Sequence, residues 1–129
     1  MSTAAAAATL AGLLLVGLAG FHAALAMGAP WGRYAWGGQH KGALPQRLQW
    51  GSAVSVPVVL AMAVVLLIRA EVLHPQYARG MEWPVWGIFL YLVVNTVANW
   101  KSDSADERRV MGPLATVLLV LVAIVAFNA

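Results

Sequence analysis

Residues 4–27 read AAAAATLAGLLLVGLAGFHAALAM, a run with no charged side chain. At about 1.5 Å per residue, a helix of this length crosses a hydrocarbon core of about 30 Å. Alanine and leucine are strong helix formers, so propensity agrees with length. A cleavable signal is the competing reading, because Ala24-Leu25-Ala26 resembles a small-residue cleavage site. Signals open on a basic segment, whereas Met1 to Thr9 has no Lys or Arg. The stretch is therefore read as a membrane span.

Further apolar runs occupy residues 51–68, 84–100 and 110–127. Every Lys, Arg, Asp and Glu lies between Arg33 and Arg109, clustered in the segments that separate these runs. Hydrophobic residues make up 61% of the chain and charged residues 10%. A soluble domain carries about 25% charge. Too little is present here for a water-facing skin, so lipid must solvate the surface. The predicted fold is all-α: a polytopic membrane protein, a four-transmembrane-helix bundle forming a single membrane domain over residues 1–129.

Proline refines the spans. Pro57 falls inside the second and removes one backbone donor; Ser52 or Ser55 is placed to satisfy a carbonyl freed nearby. Pro84 suits the first helical position of the third span, and Pro113 the first turn of the fourth. Arg69 closes the second span, with its guanidinium expected to snorkel to the headgroups.

Four spans put both termini on one side. The first and third loops then share the other side and hold Arg33, Lys41, Arg47, Lys101, Arg108 and Arg109. Only Arg69 and Arg79 oppose them. Basic residues in short loops stay cytoplasmic, so both termini are predicted outside, in a membrane of the bacterial inner-membrane type. The net charge of +3 and pI of about 9.8 follow from this rule and do not call for nucleic acid.

Other classes drop out. No cysteine is present, so there is no disulfide, thiolate metal site or thiol redox chemistry. No acid lies within a span, against a proton-coupled exporter that uses a buried carboxylate. No HExxH motif, carboxylate pair or Ser–His–Asp set is recognisable. His40 and His74 fall in loops on opposite sides, so a bis-histidine haem lacks a second ligand for His22. No cofactor or metal is expected. Asp103, Asp106 and Glu107 read as a solvated hairpin, with acids near the positive end of the fourth helix.

Three features remain as candidate sites. In the third span Trp83, Gly87, Tyr91, Asn95 and Asn99 recur every four residues and share one ridge. Carboxamides in a span avoid lipid. They serve either interhelical hydrogen bonds, worth about 0.6–2 kcal/mol each, or a polar cavity or pore lined by Tyr91, Asn95, Thr96 and Asn99. In the first span His22 shares a face with Leu15, Leu18 and Leu25, while Gly20, Ala24 and Gly28 fall opposite. That suits a central helix or a dimer interface. His22 is either bonded to a helix carbonyl or to Asn95, or it acts as a proton relay or ligand contact. The first loop, GAPWGRYAWGGQHKGALPQRLQW, interleaves glycine with Trp31, Tyr34, Trp36 and Trp50. It reads as an aromatic belt, or as a headgroup or anion site in which Arg33, Lys41, Arg47, Trp31 and Trp36 surround glycine-rich backbone amides.

This order of features is a histidine in the first span, a glycine–tryptophan segment from Gly28 to Gly38, a later proline, and a charged hairpin leading a Pro-bearing last span from Glu107 to Pro113. It resembles small four-helix bacterial integral membrane proteins of uncharacterised activity. The resemblance implies the four-helix fold and nothing about mechanism.

Three functions are weighed. The leading one is a binding or accessory protein for a membrane lipid, a lipophilic ligand or a larger membrane complex. The second is a small transporter or channel, completed as a homodimer. The third is a membrane-embedded enzyme acting on a lipid or isoprenoid, with His22, Tyr91 or His40 as acid or base.

Overall fold

A computed structural model describes residues 1–129. It is helical, with four long helices: α1 (Thr3–Ala26), α2 (Gln46–Arg69), α3 (Glu82–Trp100) and α4 (Ala105–Asn128). All four are long and apolar enough to cross a membrane. The protein is a multi-pass membrane four-helix bundle.

The helices outrun the apolar runs that predict them. α2 and α4 each begin about a turn and a half before the predicted span, because helical hydrogen bonding continues through the polar headgroup layer. Pro113 is therefore an interior residue of α4 rather than part of its first turn. Pro84 sits third in α3, which begins at Glu82 after a 3₁₀ segment over Pro75–Met81. Amides of a first turn lack intrahelical acceptors, so proline costs little there. Ser2 caps α1 through the Ala5 amide at 3.0 Å, and Ser104 caps α4 through the Glu107 amide at 3.2 Å.

Neighbouring helices run antiparallel, and α1 is the most buried of the four. It packs along α2 and also against α4, and α3 packs along α4, whereas α2 and α3 meet sparsely. Close approach of α1 comes from alanine. Ala4, Ala7, Ala8 and Ala11 are all buried and join Leu66, Val85, Val122 and Val125 in the main core. That core fills the half of the bundle nearest the termini. On the opposite α1 face Gly20, like Gly17 beside it, looks into open space, whereas Ala24 and Gly28 are half-buried. The central position of α1 therefore rests on alanine, with the Gly20 face turned outward.

Arg69 does not reach freely into the headgroups. Its guanidinium donates to the Ala78 carbonyl at 3.2 Å and the Ala129 carbonyl at 2.8 Å, joining the second loop to the end of α4. At the far end, the first loop folds back over the bundle in two 3₁₀ turns, Gly32–Tyr34 and Trp36–Gly38.

Candidate functional site

The half of the bundle beneath the first and third loops is not filled. It encloses a cavity of about 500 Å³ lined by all four helices and both loops. Small-molecule sites span about 300–1,000 Å³. On α4 the wall runs from Glu107 to Leu118, about 16 Å of helix and so about half of a hydrocarbon core. The cavity thus occupies the loop-side half of the bundle.

Its lining changes with depth. Leu15, Met62, Leu92 and Leu118 form the floor. His22, Ser55, Asn95 and Asn99 lie nearer the loops, and Lys101, Asp103 and Glu107 stand at the mouth. This order follows from helix direction: α1 and α3 climb toward the mouth while α2 and α4 descend from it. Val54 and Val58 on α2 and Tyr91 on α3 line the cavity and are exposed, and α2 and α3 meet sparsely. The cavity therefore opens sideways, through the seam between α2 and α3.

The ridge on α3 is not an interhelical contact. Trp83 is 80% exposed and Tyr91 57%, and Gly87 faces open space. Asn95 and Asn99 line the cavity, and none of the side-chain hydrogen bonds in the molecule engages either. Their carboxamides are left for whatever fills the space. Thr96 is buried away from the cavity lining, with its hydroxyl unpartnered.

His22 bonds neither to a helix carbonyl nor to Asn95. Its Nδ1 lies 3.3 Å from Ser52 Oγ, and the same oxygen accepts the Trp36 indole N–H at 3.0 Å. Ser52 is fully buried, and its hydroxyl is engaged here rather than with a carbonyl released by Pro57. Ser55 bonds the Gly51 carbonyl at 2.9 Å, which is not the carbonyl that Pro57 frees. Trp36 is brought in by unusual backbone. It has φ +53°, followed by Gly37 at +79° and Gly38 at +68°. A left-handed tryptophan is uncommon, and here it turns the indole down onto α2. Gly51 makes room, since a Cβ there would stand 3.0 Å from the ring.

The rest of the first loop divides. Trp31 stacks on Phe21 with centroids 6.3 Å apart. Arg33 lies over the Tyr34 ring at 5.5 Å. Arg33, Lys41 and Arg47 are exposed and none lines the cavity; His40 also lies outside it. One of the glycine-rich amides meets a carboxyl group from within the chain. Glu107 Oε2 accepts the Gly37 N–H at 3.3 Å, and Glu107 is only 6% exposed. The expected solvated hairpin is thus partly covered, because the first loop lies across the start of α4. Asp106 and Glu107 do stand in the first turn of that helix, while Asp103 precedes its Ser104 cap.

Two residues of the site escaped sequence reasoning. The sequence reads Ser52 as a candidate partner for a carbonyl freed near Pro57, and Glu107 as a solvated acid near the start of the fourth helix. The only sequence signal for either was the unusual density of glycine and tryptophan in the first loop. Comparison with protein-family models, with curated proteins and with solved structures returned no match.

Proposed function

We propose that this protein binds a lipophilic ligand: one amphiphilic molecule held in the loop-side cavity, with its tail on the apolar floor and its head among His22, Asn95 and Asn99. The observation that carries this reading is the gradient of the lining, apolar at mid-membrane and polar toward the loops, behind an opening that faces lipid. An amphiphile in a bilayer already has that orientation, so entry through the α2–α3 seam needs no inversion and little exposure to water. The floor ends on the packed core of Leu66, Val122 and Val125, which favours holding a molecule over passing one. The half-buried Asn95 and Asn99 carboxamides have no partner within the chain, and a ligand head offers them one.

The same reading keeps the orientation drawn from charge. The mouth opens toward the cytoplasmic leaflet of a bacterial inner membrane, with both termini outside. Transfer of the bound molecule to a larger membrane complex, or association of two copies through the exposed Gly20 face, would extend the role without changing the site.

Native mass spectrometry of protein released from a mild detergent tests the reading. The expected result is one amphiphile per chain, lost when Ala115→Trp fills the cavity. Equal adducts on the wild type and the filled variant would place the lipid on the outer surface and overturn it.

A further inference from the structure

The hydrogens of the Trp36–Ser52–His22 cluster can be placed from its heavy atoms. The indole nitrogen only donates, so Ser52 Oγ is the acceptor in the 3.0 Å contact with Trp36. The Ser52 hydroxyl is fully buried, and its own hydrogen requires an acceptor. His22 Nδ1, at 3.3 Å, is the remaining partner of that oxygen. Nδ1 therefore accepts. A neutral imidazole accepting at Nδ1 carries its proton on Nε2. His22 lines the cavity, and its ring makes no other hydrogen bond within the chain. The cavity is thus offered a fixed N–H donor about 6 Å below the end of α1, joined by the Asn95 and Asn99 carboxamides.

Charge constrains the guest further. No Lys or Arg stands at the level of His22, and the mouth carries Asp103 and Glu107 against Lys101 alone. Such a rim disfavours a phosphate head, which would also lack a cation at its seat. Resting on the ligand-binding reading above, we infer that the occupant is a neutral amphiphile whose head presents a carbonyl oxygen to His22 Nε2–H. Trp36 and Ser52 are positioning residues that fix the tautomer and the ring. A carbonyl of this kind occurs on an isoprenoid quinone or on a neutral glyceride ester, and the two share the recognition chemistry.

The test is equilibrium binding to the full chain in lipid nanodiscs. The probes are decylubiquinone, dioctanoylglycerol, dioctanoyl phosphatidic acid and decylbenzene, the last an apolar tail on a ring without oxygen. One of the two neutral carbonyl probes should bind at least tenfold tighter than decylbenzene and than phosphatidic acid, and which one it is names the source. His22→Phe should reduce its binding about tenfold, the loss of one hydrogen bond from a preformed site. His22→Gln, which places an amide N–H near the Nε2 position, should restore most of it. Nitrogen-15 NMR of histidine should show His22 protonated at Nε2 in the wild type, with that pattern lost in Ser52→Ala. Equal binding of the carbonyl probe to wild type and His22→Phe would overturn the inference and leave the amphiphile pocket standing. So would preference for phosphatidic acid, or a proton on Nδ1. Failure of all four probes, with no cavity-dependent adduct in mass spectrometry, would overturn the pocket itself.

Discussion

The Ser104 hydroxyl donates to the Arg33 carbonyl at 2.8 Å while its oxygen accepts the Glu107 amide at 3.2 Å. One side chain thus caps α4 and fastens the first loop over the cavity. Ser104→Ala should cost about 1–2 kcal/mol through the lost cap and speed hydrogen exchange at the Gly37 and Gly38 amides. Ser104→Asp should recover the cap but not the loop, because a carboxylate cannot donate to Arg33. Exchange mass spectrometry together with thermal unfolding separates the two effects.

Gly37 and Gly38 both have left-handed backbone, yet their surroundings differ. A Cβ on Gly37 meets open space, whereas one on Gly38 would stand 2.2 Å from Ser104 Cβ and 2.9 Å from the Arg33 carbonyl oxygen. Gly37→Ala should cost only the conformational term of about 1–2 kcal/mol. Gly38→Ala should cost about 1–3 kcal/mol more by forcing the loop off α4. Unfolding curves in one detergent rank the pair, and equal losses would contradict the close contact.

Glu107 is buried with its carboxylate on the Gly37 amide at 3.3 Å. Glu107→Gln keeps an acceptor oxygen and should lower stability only slightly. Glu107→Ala leaves the Gly37 amide without that partner and should cost about 1–3 kcal/mol. A larger loss for Gln than for Ala would show that the bond is not the reason the acid is buried.

Trp100 lies flat against the backbone of Gly112, where a Cβ would fall 2.9 Å from the indole, and its N–H donates to Thr116 Oγ1 at 2.8 Å. Gly112→Ala should push the indole out and separate α3 from α4 at the loop end, at about 1–3 kcal/mol. Trp100→Phe keeps the face but loses the bond, so its cost should be nearer 1 kcal/mol. Thermal unfolding of the two variants checks the order.

The absence of cysteine makes orientation directly measurable. A membrane-impermeant thiol reagent applied to intact cells should label Tyr77→Cys, in the second loop, and spare Lys41→Cys, in the first. The opposite pattern would reverse the orientation taken from the basic loops and move the mouth to the outer leaflet.

The four spans were legible because lipid imposes a simple demand. A crossing segment must be apolar and long, and both properties survive in one dimension. Helix ends were less legible, since α2 and α4 run into headgroup territory where Gln46 and Asp106 are as acceptable as leucine. The polar faces of α1 and α3 were visible as His22, Asn95 and Asn99, which do share one cavity. What could not be read was the fold of the first loop. Its course depends on a left-handed Trp36 and on contacts with Ser52 and Ser104, residues distant in sequence, and no periodicity encodes such a meeting. From sequence alone, therefore, Ser52 or Ser55 reads as a carbonyl partner and Glu107 as a solvated acid.

The sparse meeting of α2 with α3 gives the bundle the mechanics of a book. α1 against α4 is the spine, each hairpin is a cover, and α2 and α3 are the free edges. Parting those edges breaks few contacts, while parting the spine breaks the alanine-lined core. The width of the gap is therefore set largely by what lies between the covers and by the sideways squeeze of the surrounding lipid. Sideways load on the bundle would meet its least resistance along this fore-edge.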